Sequence, residues 1–268
     1  NTNNGDYMMK LLKYITLPFL LLCSFLLSYF IFNDEGRYYL NESESESMSD
    51  YYKEIHENEY EKVKQKVIPY IVKAKVVKDG KELVGEVIED KQNGKEYHLV
   101  IDNEDKWYLN YYVTILSNDE TKTKDSLSDE EIELYVNNST LSSATNYLIW
   151  VDLYRIETYV LQKNDNHYFL IKRLNCASGA NVTPSKRGIY TISNKGTHFY
   201  SRDNTYICYN YLQYSGSYLL HSFPYSLNKE VLDNRLKQRV SNGCIRYSFD
   251  DSKYLYENIP INSTIWVN

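Results

Sequence analysis

The sequence predicts a mainly β protein, and three observations carry that expectation. Tyrosine accounts for 29 of the 268 residues, and aromatic and β-branched side chains suit the pleated, half-buried surface of a sheet. From about Val67 onward the apolar runs are short. They are separated by turn signals such as Asp79-Gly80, Asn93-Gly94 and Asn164-Asp165-Asn166, which punctuate antiparallel hairpins. Hydrophobic residues make up 43% of the chain, so a core can be buried without metal or disulfide support.

Taken in order, the chain opens with residues 1–10 and then an apolar run, Leu11–Phe32, of 22 positions with Lys13 as its only charge. At about 1.5 Å per residue this run is long enough to cross a bilayer as a helix. Lys10 and Lys13 flank its start and Asp34 and Glu35 follow its end. The positive-inside rule therefore expects a cytoplasmic tail over 1–10, a transmembrane anchor over 11–32 and everything after Asn33 outside the cell membrane. A cleaved signal peptide is the rival reading, disfavoured because no small-x-small site closes the run.

Residues 33–66 are acidic and serine-rich, including Glu42-Ser-Glu-Ser-Glu-Ser47. Few of them can enter a core, so a solvated linker or stalk is expected, with a helix permitted from Ile55 to Lys66. Residues 67–116 are read as about five strands in fifty positions, within four apolar runs: Ile71–Val77, Leu83–Ile88, Tyr97–Ile101 and a long Trp107–Leu116. That spacing predicts a small antiparallel, barrel-like β module. Residues 117–146 form a polar linker containing one short helix. Ser128 is its cap, Glu131 closes the box three residues on, and Asn137-Asn138 end it. From Tyr147 to Asn268 strand follows strand: Tyr147–Leu153, Ile156–Leu161, Tyr168–Leu174 and Gly188–Ile192.

The chemistry-bearing stretch is Ser241-Asn242-Gly243-Cys244-Ile245-Arg246, with His221-Ser222 upstream. A cysteine is a nucleophile only as its thiolate, so it needs a basic partner, and His221 supplies one. Gly243 lets the backbone take angles closed to other residues. A buried, inert cysteine is the plain alternative. The other cysteines are Cys23 in the apolar run and Cys176 and Cys208 in strand-like contexts. The latter two are read either as a disulfide or as two buried free thiols. No Cys/His spacing suits a metal site, and no cofactor is expected.

The His-Ser pair, the Ser-Asn-Gly-Cys-Ile-Arg box and the upstream Ser178-Gly179, Thr183-Pro184 and Gly188-Ile-Tyr-Thr-Ile192 together resemble the L,D-transpeptidase catalytic domain, over about Tyr147 to Val267. The ending Lys106–Leu116 resembles a bacterial Src-homology-3-type module. The family's box carries a second histidine where this chain has Asn242, and 19 residues separate His221 from Ser241, slightly more than usual. The polar segment 228–239, read as helix-permissive, absorbs that length.

The resemblance implies a β-sandwich-like catalytic domain over 147–268 that acts on peptidoglycan stem peptides in cell wall biogenesis. Cys244 would be the nucleophile and His221 the proton donor and acceptor. The Ser222 backbone carbonyl would orient His221, and Gly243 would contribute to the oxyanion hole. Arg246, Asn242 and Ser241 would face substrate, with Arg246 alternatively pairing with Asp250 or Asp251. Apart from the resemblance, the tyrosine-rich Tyr206–Tyr218 is a candidate lid, and its alternation suits core strands equally well. The expected product is a cross-link between third-position residues, formed through a cysteinyl thioester, and a carbapenem is expected to acylate Cys244. An L,D-carboxypeptidase using water as acceptor and a catalytically dead wall-binding protein are the alternatives. A sortase would need its histidine well upstream and a Thr-x-Thr-Cys strand. Residues 147–268 hold 14 Lys/Arg against 9 Asp/Glu, within a chain of net charge −6. A cationic domain on an acidic tether suits a polyanionic wall. With no nucleic-acid motif and an acidic whole, nucleic acid is not expected as a partner.

Overall fold

The computed structural model describes residues 42–78, 80–91, 93–116 and 125–268. The apolar run 11–32 and its expected membrane crossing lie outside the described residues. Among those described, no helix is long and apolar enough to cross a membrane. The chain divides into two units, residues 1–55 and 56–268.

Helix α1 spans Glu42–Lys66, contributing residues 42–55 to the first unit and the rest to the second. This corrects the expectation of a stalk over 42–54 and agrees with the helix permitted from Ile55 to Lys66. Glutamate and lysine are good helix formers, and no glycine or proline interrupts 42–66. The helix stops just before Pro69, whose ring disfavours helical geometry at the preceding residue. Lys64 and Lys66 occupy the last turn, where positive charge complements the helix dipole.

The second unit begins with five short strands: β1 Lys73–Lys78, β2 Lys81–Lys91, β3 Glu96–Ile101, β4 Glu104–Leu109 and β5 Val113–Ile115. They form one antiparallel sheet in the order β4-β3-β2-β1-β5. Alternation on β1 and β3 turns Ala74, Val76, Tyr97, Leu99 and Ile101 into a common core with Val72 and Val87. The long strand expected over Trp107–Leu116 is two strands parted by a 3-10 turn at Asn110–Tyr112. The break is needed because β4 pairs with β3 and β5 with β1, at opposite edges of the sheet. No pairing joins β4 to β5 among the described residues, so the expected barrel is an open sheet.

Helix α2, Asp129–Asn138, starts with a complete capping box. The Glu131 N–H donates to Ser128 Oγ at 3.1 Å and the Ser128 N–H donates to Glu131 Oε2 at 2.9 Å. The helix ends at Asn138, where the Asn137-Asn138 pair is expected to stop it. Each amide donates to the carbonyl four residues back, both at 2.8 Å, and so fits within it.

Two sheets then stack. The first runs β10-β17-β6-β7-β8, from β6 Tyr147–Asp152, β7 Glu157–Asn164, β8 His167–Asn175, β10 Gly188–Thr191 and β17 Thr264–Val267. Its β7–β8 hairpin turns at Asp165 and Asn166, with φ of 47° and 65°, the left-handed pair that a tight hairpin requires. The apolar run Leu148–Val151 is continuous because both faces of β6 are covered. Ile149 and Val151 enter the core between the sheets. Leu148 and Trp150 pack outward against Ile132 and Val136 of α2.

The second sheet, β11-β12-β13-β16, comprises Asn194–Tyr200, Tyr206–Ser215, Tyr218–Ser222 and Ile245–Tyr247. It contributes Leu212, Tyr214, Leu220, Ile245 and Tyr247 to the shared core, closed by Leu255 and Ile259 at helix α3, Phe249–Asn258. Tyr206–Tyr218 is therefore a central hairpin strand and no lid. Strand β9, Ser178–Gly179, pairs in parallel with β15, Arg239–Ser241. Residues 228–239 hold no helix. Lys229 and Lys237 take φ of 67° and 58° there, which a right-handed helix does not admit. Cys176 and Cys208 are buried free thiols, so the disulfide alternative fails.

Candidate active site

The site is built on the parallel pair β13–β16, which sets His221 beside Arg246 and Ser222 beside Tyr247. Leu220, Ile245 and Tyr247 point into the core. Alternation therefore sends His221 and Arg246 to the opposite face of the sheet. Cys244 immediately precedes β16 and ends the connection from the buried Ser241.

His221 is 4% exposed. Its Nδ1 lies 2.6 Å from the Ser222 carbonyl oxygen, so the neutral ring that donates there leaves Nε2 free to accept a proton. Ser222 is itself locked. Its hydroxyl accepts from the Tyr209 N–H at 2.8 Å and donates to the Phe223 carbonyl at 2.8 Å. The Phe199 ring stands edge-on to the imidazole, with centroids 5.1 Å apart. Burial pushes the His221 pKa down to about 4, with the Arg246 charge acting in the same direction and the Ser222 carbonyl opposing both. The imidazole is thus neutral at neutral pH, as a base must be.

Burial raises the Cys244 thiol above its ordinary value. A backbone hydrogen bond from Leu219 and the Arg246 charge both favour the thiolate. The resting thiol donates to the Ser217 carbonyl at 3.6 Å. Cys176 and Cys208 are both driven up to about 12, chiefly by burial. Of the three, only Cys244 is partly open to solvent.

The turn that carries Cys244 is tied on both sides. The Ser241 hydroxyl donates to the Cys244 carbonyl. The Ser241 carbonyl accepts from the Ala180 N–H and from Thr183 Oγ1, each at 2.9 Å. Gly243 has φ +98°, and a Cβ there would lie 2.8 Å from the Tyr218 ring. Asn242 is exposed. Arg246 pairs with Asp233 at 3.0 Å and not with Asp250 or Asp251. Asp233 also binds Arg235 at 2.8 Å, and Asp251 is engaged instead by Ser248 at the start of α3. Ser241 is 1% exposed, and its hydroxyl is spent on the turn itself. Among the described residues no group of histidine, cysteine and acidic side chains could hold a metal ion.

Residues 146–267 match the family model of the YkuD, L,D-transpeptidase catalytic domain. The match covers 122 of the 268 residues, a little under half of the chain. Over 56 residues the chain is 34% identical to YciB of Bacillus subtilis (strain 168), a protein assigned provisionally to the L,D-transpeptidases. That stretch spans 20% of this chain and 29% of YciB. Among solved structures, a fused amidase/peptidase/peptidoglycan-binding domain protein of Clostridium acetobutylicum is 31% identical. It overlays with a TM-score of 0.45, over 52% of this chain and 59% of that one. An L,D-transpeptidase of Mycobacterium smegmatis is 13% identical, with a TM-score of 0.39 over 72% and 76% of the two chains. With TM-scores below 0.5, neither overlay bears on function.

Within the matched segment the pairing of β13 with β16 sets His221 beside Arg246, two residues beyond Cys244, and Ser222 beside Tyr247. Sequence reasoning gave no role at the site to Phe199 or Asp233, and took Ser217 and Tyr218 only as part of a candidate lid. Phe199 lies on β11 and Asp233 in a loop, and neither carries a local motif. Thr183 stood in a recognised Thr-Pro pair, but its hydroxyl contact with the box was not legible from spacing.

Proposed function

We propose that this protein is a peptidoglycan L,D-transpeptidase that works through a cysteinyl thioester on Cys244. The observation that carries the reading is the buried, neutral His221, fixed through Nδ1 on the Ser222 carbonyl at 2.6 Å, on the strand parallel to the one that Cys244 leads into. His221 Nε2 takes the thiol proton as sulfur attacks the carbonyl between the third and fourth residues of a stem peptide. The C–N bond breaks, and the leaving D-amino acid takes that proton from the imidazolium. A side-chain amine of a second stem then attacks the thioester and frees the thiol. N–H groups at Gly243 and Cys244 receive the developing oxyanion, and one such donor is worth about 3 kcal/mol. Asn242, exposed beside this turn, faces the approach to the thiol. Arg246 acts first as the partner of Asp233, its carboxylate-binding role being open only to a group that competes with that pair. Anchoring through residues 11–32, with the catalytic domain on the wall side of the membrane, belongs to the same proposal.

The test is intact-mass spectrometry of the protein with a carbapenem, beside Cys244→Ala. The expected result is one adduct on the wild type and none on the variant. Absence of an adduct on folded wild type would favour the dead-enzyme alternative. Incubation with tetrapeptide muropeptides then separates cross-linked product from the tripeptide that a carboxypeptidase releases.

A further inference from the structure

The β2–β3 hairpin of the N-terminal module reaches residues that pack against the turn carrying Cys244. Its tip is closed by Asp90, whose carboxylate accepts from the Gly94 N–H at 2.8 Å. Two contacts leave the hairpin for the matched segment. Tyr97 donates its hydroxyl to the Val182 carbonyl at 2.9 Å, next to Thr183, which holds Ser241. The Tyr218 hydroxyl reaches the Asp90 carbonyl at 3.5 Å. Lys186–Glu89, at 2.9 Å, and Arg187–Glu86 add ion pairs across the same junction.

Tyr218 is 8% exposed, and its ring fills the space where any side chain at position 243 would go. Ser217, its neighbour, supplies the carbonyl that receives the Cys244 thiol. Gly243 takes φ +98°, a conformation open to glycine and closed to most side chains, and glycine's freedom leaves it to its surroundings to fix that angle.

We propose that Tyr218, braced by the β2–β3 hairpin, is a positioning residue that holds Gly243 in the geometry its N–H needs to receive the oxyanion. The N-terminal module is then a working part of the catalytic unit and not a detached spacer. The inference rests on the reading of Cys244 as an acylated nucleophile. It adds a role for residues of which two, Asp90 and Tyr97, lie outside the segment that matches the family model.

Two reactions at the same sulfur separate positioning from general damage. Acylation by a carbapenem passes through a tetrahedral oxyanion. Alkylation by iodoacetamide displaces iodide at a saturated carbon and forms none. Rates of both are measured on the full chain for wild type, Tyr218→Leu and Tyr97→Phe, with thermal melts to establish folding. Removing an oxyanion donor costs about 100-fold or more, so a displaced donor is expected to lower the acylation-to-alkylation ratio about tenfold in Tyr218→Leu and about threefold in Tyr97→Phe. If Tyr218→Leu does not fold, Tyr97→Phe decides alone. A ratio unchanged in the folded variants, or alkylation falling in step with acylation, overturns the proposal. Failure of the wild type to be acylated at all would instead remove the underlying reading of Cys244.

Discussion

His221 shows how one buried side chain couples function to stability. Its folded pKa of about 4 lies below its ordinary value of 6.5. The unfolded chain therefore binds the proton first as pH falls. Stability from this residue is complete above about 6.5 and is lost as pH falls through about 4, a difference of about 3 kcal/mol. Urea denaturation of wild type and His221→Gln at pH 7.5 and pH 4 checks this. The wild type is expected to lose about 3 kcal/mol more than the variant. Gly243→Ala is expected to slow carbapenem acylation at least about tenfold, since it loses a positive-φ residue and drives a methyl into the Tyr218 ring. Stopped-flow absorbance of the β-lactam reads that rate. Both residues were legible in the sequence because their chemistry is local: a thiol after glycine, and a histidine closing an apolar strand. Asp233 was not legible. Its approach to Arg246 depends on how residues 223–240 fold back, and no local pattern encodes a salt bridge across 13 positions.

At the scale of elements, α2 is the clearest case of local encoding. The Ser128–Glu131 box was readable because both partners lie within one turn, and Ser128→Ala is expected to cost about 1 kcal/mol by chemical denaturation. Strands were readable where turns mark their ends, as at Asp165-Asn166. They were misread where the end is set by pairing. Trp107–Leu116 has the composition of one strand, yet its halves serve opposite edges of a sheet. The part of helix α1 before Ile55 was missed for the converse reason. Acidic, serine-rich composition suggested a solvated spacer, although nothing in the stretch forbids a helix. The stretch Tyr206–Tyr218 suited a lid and a core strand equally well, and only the pairing of β11, β12 and β13 decides between them.

At the scale of the whole second unit, Arg155 joins three segments distant in sequence. It pairs with the buried Asp152 at 2.9 Å, and donates to the Lys66 carbonyl at 2.9 Å and the Asp125 carbonyl at 2.7 Å. Helix α1, the linker and the first sheet thus meet at one guanidinium. Burial pushes the Asp152 pKa up, and Arg155 opposes it. Removing one partner of a buried pair leaves an uncompensated charge, so Arg155→Met is expected to destabilise by about 3–5 kcal/mol. Adding Asp152→Asn is expected to restore part of that loss. Urea titrations of the single and double variants measure both. No motif announced this junction, because the carbonyls it binds belong to backbone whose position only the fold fixes.

The unequal burial of the cysteines has a practical side. From residue 42 onward, the chain holds two thiols that stay protonated and shielded at pH 8 and one that is partly open. A maleimide dye applied briefly to that part of the chain would mark a single position without any cysteine being engineered away. The count of dye per molecule would then report how many copies in a preparation carry a free Cys244 thiol.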